Sequence, residues 1–235
     1  MLEKANTLKK NELYLASQSD MVIVVSNVEK EILLNENREL NVHVMPHVHR
    51  VASSIPGYEE RDNLIFIGGF MHSPNVDGIL WFVDNIFPKI KEKLSGMRLY
   101  VIGSNPTEEI LRLNSEQIIV TGYVKDVGPL FNSCRVFVAP LRYGAGIKGK
   151  ILQSMSYGVP VVTTTIGAEG MDLANGENAM VVSEEAEFAK EVIRLYSDKS
   201  LWTKISTNAT VYLKRNHTPE LCKEAFANLF EDLKV

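Results

Sequence analysis

Apolar residues along this chain follow two spacings in turn. Continuous β-branched runs occur at Met21–Val25, Leu64–Ile67, Arg98–Ile102, Ile118–Thr121, Val136–Val138, Val161–Thr164 and Ala179–Val182. Runs this short predict strands, and the continuous Met21–Val25 run predicts one buried on both faces. Between them lie stripes at helical spacing. Ile79, Leu80, Phe82, Val83, Ile86, Phe87, Ile90 and Leu94 predict one long helix beginning at Asn75. Ile151, Leu152, Met155 and Ser156 predict another, ended by Gly158 and Pro160. Short helices are expected near Glu108–Leu113 and over Val127–Asn132, and further helices over 184–197, 200–214 and 218–233. Strand and helix alternate at least five times between Leu64 and Val182, which predicts an α/β fold with a doubly wound parallel sheet.

The front of the chain is poorer in elements. A helix is expected over 3–17. Ser26 and Glu29 have the spacing of a capping box for a second helix, and Val42–Met45 reads as a strand closed by Pro46. Two strands and two helices are too few for a parallel sheet covered on both faces. Residues 1–50 therefore read as a small partial amino-terminal α/β fragment, the remnant of another domain. Pro56, Gly57 and the acidic residues around them read as a linker over 51–62. The main domain is expected over 63–217, and the helix over 218–235 is expected to return to the front fragment through Leu221, Ala225, Leu229 and Leu233.

The chemistry concentrates between Val136 and Met171. A strand stops at Pro140, and a loop with Arg142, Gly144, Gly146, Lys148 and Lys150 leads into a helix. No acidic residue lies between Pro140 and Lys150. A basic, glycine-bearing loop at a helix amino end offers free N–H groups and the positive end of a dipole, which suits phosphate. Ligands in such sheets bind outside the carboxyl ends of the strands. The candidate loops there are Gly68-Gly69-Phe70, Gly103-Ser104-Asn105, Gly122-Tyr123-Val124 and Gly144–Lys150.

Composition narrows the classes. The 235 residues are 45% hydrophobic and 23% charged, with a net charge of −4, so neither a nucleic-acid coat nor a polybasic membrane patch is indicated. Cys134 and Cys222 lack metal or redox spacing and read as inert thiols. With no run of about 18 apolar residues and no secretory core at the front, a cytoplasmic protein is expected. Two familiar motifs match the loop and fail. Gly144, Gly146 and Gly149 fit GxGxxG, but the next strand ends in Thr163-Thr164-Thr165, without the acid a dinucleotide ribose needs. Gly144, Gly149 and Lys150 fit all but the last position of a P-loop, where Ile151 stands in place of a Mg²⁺-binding hydroxyl.

The segment from Pro140 to Met171 closely resembles the donor-site segment of family-4 retaining glycosyltransferases of the GT-B fold (glycosyl transferases group 1). Those read P-x-R-x-G-x-G-x-x-x-K-x-L-E-A-M-x-x-G-x-P-V-V, followed by a Gly-Ala-Glu-Gly turn. Asn63–Pro88 resembles that family's first strand, glycine turn and Pro-Asn helix start. Gly122-Tyr123-Val124 with Asp126 resembles its base-side loop, and Ser19–Pro46 the close of its amino-terminal domain.

The resemblance implies a Rossmann-like half of a GT-B enzyme that binds a nucleotide-sugar donor. The acceptor, a glycan or a lipid-linked glycan, would meet a domain of which only the tail is present. Lys150 would contact the donor diphosphate. Gly144, Ala145, Gly146 and Ile147 would offer backbone N–H groups to the distal phosphate and sugar. Gly68 and Gly69 would form the opposite lip, with His72 and Asn75 donating to phosphate or capping the helix. Tyr123, Val124 and Lys125 would flank the base, and Arg142 and Lys148 would either add positive charge or form a solvated face. One departure is Gln153, where the family carries the glutamate that holds the ribose; a neutral acceptor there forms a weaker hydrogen bond. The resemblance implies no cofactor, no metal, retention of configuration and a role in cell-surface polysaccharide assembly, near the inner face of a membrane. The missing domain points to a partner that supplies it, and the unpaired edges of the two front strands with the apolar stripe of the last helix point to a small satellite unit or to a second copy of the chain. The alternatives are a non-catalytic nucleotide-binding module that completes a partner, and a GT-B epimerase. No general base is assigned.

Overall fold

The computed structural model describes residues 2–232, which divide into two compact units. The smaller takes the chain up to Val48 and again from Asn216; the larger runs from His49 to Arg215.

The smaller unit begins with α1 (Leu2–Ser17), β1 (Val22–Val24), α2 (Asn27–Glu36) and β2 (Val42–Val44). The two strands pair in parallel, Val22 opposite Val42 and Val24 opposite Val44. Ser26 caps α2 by accepting from the Glu29 N–H at 3.1 Å, and the Glu29 carboxylate reaches back to the Val25 N–H at 3.0 Å. Ala16, Leu40 and Val42 form the buried centre, with Val22, Val24, Leu33 and Leu34 against it. The expectation that this strand is buried on both faces is corrected: Ile23 is 52% exposed. A continuous apolar run reports two covered faces only when a layer lies on each side. Here Ile23 borders an open groove of about 490 Å³ shared with Leu13, Val25 and Ile32.

The larger unit follows: β3 (Asp62–Ile67), α3 (Ser73–Trp81), α4 (Phe87–Lys91), β4 (Leu99–Ile102), α5 (Glu108–Arg112), β5 (Ile118–Gly122), α6 (Gly128–Ser133), β6 (Cys134–Ala139), α7 (Gly149–Ser156), β7 (Val161–Thr163), α8 (Thr165–Ala168), β8 (Met180–Val181), α9 (Glu185–Ser197) and α10 (Lys199–Asn216). Among the described residues its strands form one six-stranded sheet in the order β5-β4-β3-β6-β7-β8, parallel throughout. The order spreads outward from β3 in one direction and from β6 in the other, so the topological switch point lies between these two. Side chains of β3 alternate between the layers. Leu64 and Phe66 pack with Ile79, Phe82, Ile86 and Phe188; Ile65 packs with Phe131, Phe137, Ile151, Leu152 and Met155. Both faces are covered, as an all-parallel sheet requires.

The long helix expected from Asn75 to Leu94 is interrupted. A π turn over Phe82–Ile86 separates α3 from α4, and the Phe87 N–H bonds five residues back to Phe82 O. Pro88 has no N–H to donate and its ring would crowd the preceding turn, so the wider turn is placed just before it. The stretch expected as a linker is fastened to the larger unit. The Ala52 N–H donates to Ser156 O at 2.8 Å, Val51 packs on the second core layer, and Asp62 already belongs to β3. Arg61 is 1% exposed. Its guanidinium donates to the carbonyls of Pro56 (3.0 Å), Phe131 (2.6 Å), Cys134 (3.2 Å) and Tyr157 (2.7 Å). Its acceptors are distant in sequence, so no local pattern marks it.

The last helix, α11 (Pro219–Asp232), belongs to the smaller unit. Leu229 is buried, Leu221 and Ala225 are half-buried, and Cys222 Sγ lies 3.4 Å from Met45 Sδ; Leu233 lies outside the described residues. No helix among the described residues is long and apolar enough to cross a membrane.

Candidate functional site

The carboxyl ends of β3 and β6 open on the switch point. Beyond β3 the chain turns through Gly68 and Gly69, and this lip is tied to the exit of β4. Gly68 N–H donates to Ile102 O at 2.9 Å and Phe70 N–H to Ser104 O at 3.0 Å. The approach is close: a Cβ on Gly103 would stand 1.9 Å from Gly68 O. Beyond β6 the chain turns at Pro140 and runs through Gly144 (φ +116°) and Gly146 (φ +78°) to α7. Both glycines take the left-handed region that a side chain disfavours. Thr163 and Thr164 fix the root of this loop. The Thr163 hydroxyl donates to Ala139 O at 2.9 Å, the Thr164 hydroxyl donates to Leu141 O, and Thr164 also caps α8 through the Gly167 N–H.

Lys150 crosses from the first turn of α7 to the glycine lip. Its ammonium donates to Asn75 Oδ1 and lies 4.9 Å from the centre of the Phe66 ring. The residue is half-buried, and Asn75 and the Phe66 ring crowd its charged end. Burial, and secondarily the Lys148 charge, bring its pKa down to about 7. No carboxylate is paired with it among the described residues. A cation so placed is costly unless an anion joins it. Asn75 is itself buried and donates through Nδ2 to Gly69 O at 2.7 Å.

The other expected site residues sort by their contacts. Lys148 donates to Gly144 O (3.2 Å) and Gly146 O (2.5 Å) and pairs with Glu169 at 3.8 Å, so it holds the loop's shape. Arg142 forms a two-pronged pair with Asp77, with Nε to Oδ2 at 2.9 Å, and lies over the Trp81 ring. Its charge is already matched by Asp77 and its side chain stays exposed, so it belongs to a solvated face and adds no free charge to the loop. His72 is exposed and gives α3 no side-chain cap; nor does Asn75 serve as a cap. Ala145 is exposed and Ile147 packs on the second core layer. At the β5 exit, Tyr123 and Lys125 are exposed while Val124 packs inward. Gln153 is half-buried, three residues after Lys150 on α7 and so on a neighbouring part of the same face.

The structure therefore joins Gly68, Gly69, Asn75 and Lys150 in one cluster, and Gly144, Gly146 and Lys148 in another. Sequence reasoning missed Asp77, Phe66 and Glu169. Asp77 sits two residues after Asn75 in an amphipathic helix, where nothing local distinguishes it from a solvated acid.

The sequence profile of the family described as Glycosyl transferases group 1 matches residues 61–198. The chain belongs to this family. Among curated relatives of this chain, an uncharacterized 44.6 kDa protein in the cps region of Klebsiella pneumoniae is 25% identical over 179 residues, covering 72% of this chain and 45% of that protein. CapM of Staphylococcus aureus, a capsular polysaccharide biosynthesis glycosyltransferase, is 24% identical over 154 residues, covering 61% of this chain and 40% of its own. Among solved structures, a point mutant of TarM of S. aureus in complex with fondaparinux, alpha-GlcNAc-glycerol and UDP superposes with a TM-score of 0.79 at 15% identity, over 94% of this chain and 46% of TarM. That likeness shows the fold of one half of a GT-B protein. The chain spans less than half the length of each of these proteins.

Proposed function

We propose that this chain is the donor-binding half of a retaining glycosyltransferase that takes a nucleoside-diphosphate sugar. The observation that carries the reading is Lys150: an ammonium without a carboxylate partner, set between a glycine lip and the amino end of α7 at the switch point. The diphosphate would supply the missing anion. Lys150 and the α7 dipole then stabilise the charge that develops on the leaving diphosphate, with loop N–H groups of residues 144–147 assisting. With these groups carrying the positive charge, the reaction in this reading needs neither a resident metal nor a cofactor. Gln153 would accept from a ribose hydroxyl, and Tyr123, Val124 and Lys125 would border the base.

Capsule-region relatives support a glycan or lipid-linked acceptor and a place in cell-surface polysaccharide assembly. A cytoplasmic setting at the inner face of a membrane suits such an acceptor. The acceptor side would be formed by a domain beyond the described residues. Gln153, neutral where the resemblance expects a glutamate, favours a second reading, a nucleotide-binding module that completes a partner without catalysing transfer.

Calorimetry of the full chain with UDP, GDP and ADP, with and without EDTA, tests the proposal. Binding of at least one nucleotide that survives EDTA is expected. Silence from all three overturns the donor reading, and strict Mg²⁺ dependence overturns its metal-free form.

A further inference from the structure

Asn75 occupies a position that calls for a donor and an acceptor on one short side chain. Gly69 O can only accept, so the amide must turn its Nδ2 toward it, at 2.7 Å. The Lys150 ammonium can only donate, so Oδ1 must face it. One buried amide is thus engaged at both ends with no freedom to flip. Its own backbone N–H bonds to His72 O at 3.0 Å, which fixes the residue at the start of α3. Space for the pair depends on Gly68, where a Cβ would stand 2.7 Å from Asn75 Cγ and 2.9 Å from Lys150 Nζ.

We propose that Asn75 is a positioning residue: it holds the Lys150 ammonium at the glycine lip while leaving its charge uncompensated for an incoming anion. The identity of that anion rests on the nucleotide-sugar reading above; the relation between the two side chains does not. An aspartate at this position would nearly match the size of asparagine. It would neutralise the lysine, repel phosphate and set a carboxylate oxygen against Gly69 O. The surrounding charges keep the same balance. Lys148 acts on Lys150 from the loop, and the nearest acid along α3, Asp77, is held by Arg142.

The test uses the full chain as wild type, N75D and N75A, with two readouts. One is the titration of the Lys150 ammonium, followed by NMR on protein carrying ¹³C at lysine Cε and assigned by its absence from K150R. The other is calorimetry with UDP. N75D is expected to raise the Lys150 midpoint toward the ordinary lysine value and to weaken UDP binding about tenfold or more. N75A, which removes the amide, is expected to weaken UDP binding severalfold; it serves alone if N75D does not fold. An unmoved Lys150 midpoint in N75D, or wild-type UDP affinity in either variant, overturns the proposal. If the wild type itself binds no nucleotide, the donor reading fails and the titration alone decides the role of Asn75.

Discussion

Lys150 Nζ lies 2.9 Å from the point where a Cβ on Gly68 would stand. The glycine is therefore a requirement of the lysine's path, over and above the turn it makes. Its φ is not in the left-handed region, so an alanine is compatible with the backbone. Gly68→Ala should push Lys150 and Asn75 from the lip and weaken nucleotide binding by roughly 1–3 kcal/mol, the range for a lost charge-assisted contact. Thermal melting should fall as well, because the displaced Asn75 is buried and would lose its bond to Gly69 O. Wild-type affinity by calorimetry would show that the lysine reaches its ligand by another route.

The lowered pKa of Lys150 has a sign that can be checked. The folded value of about 7 lies below the 10.5 of an unperturbed lysine. Between these two values the unfolded chain holds the proton and the folded chain does not, so stability rises as pH climbs through that window. Lys150→Met should flatten this slope. An anion beside the ammonium restores the charged form. Nucleotide binding at about pH 8, within that window, should therefore take up a fraction of a proton, and affinity should fall as pH rises. Calorimetry in HEPES and in Tris, whose ionisation enthalpies differ, reads the uptake directly. Identical heats in both buffers would mean that Lys150 keeps one protonation state through binding.

Arg61 makes the opposite kind of use of a buried cation. Two of its four carbonyl partners, Phe131 O and Tyr157 O, lie at the carboxyl ends of α6 and α7, where the helix dipole is negative, and burial lowers its pKa to about 10. Arg61→Met fills much of the volume but leaves these carbonyls without a donor. A loss of about 3 kcal/mol or more is expected from several buried acceptors left unsatisfied, with nucleotide affinity of the remaining folded protein unchanged. Urea unfolding checks the first part. A loss below about 1 kcal/mol, within reach of a single net hydrogen bond, would assign Arg61 a marginal role.

What the sequence disclosed depended on how local the signal was. The alternation of β-branched runs with helical stripes is a property of neighbours, and it placed each strand of the larger sheet. Ser26 and Glu29 are three apart, and their cap formed. The glycine loop before α7 is equally local, so Gly144, Gly146 and Lys150 stood out. The losses came from distance. Arg142 meets Asp77 across 65 positions, and Arg61 meets Tyr157 across 96. Neither pair leaves a mark in its own segment. The break in the long helix was readable in principle, since Pro88 sits inside the stripe, but the apolar period continues through the π turn and masked it.

The two units should differ in how readily they open. In the larger unit, β3 and β6 are central strands covered on both faces, and their main side chains are fully buried. In the smaller unit, β1 and β2 form a two-stranded ladder over a centre of Ala16, Leu40 and Val42, while Ile23, Val25 and Ile32 face the groove. Ladders of so few strands are marginal unless a hydrophobic face is well covered. Local opening follows the apolar contact that must be broken. Amides of residues 22–24 and 42–44 should therefore exchange faster than those of 64–67 and 136–139 by at least about tenfold, a gap of roughly 1.4 kcal/mol in opening free energy. The measurement is hydrogen exchange by mass spectrometry on a sample shown to be monomeric by light scattering. Association through the groove would slow exchange in β1 alone and in proportion to concentration. Equal protection of both ladders in a monomer, independent of concentration, would mean that the smaller unit opens only with the whole chain.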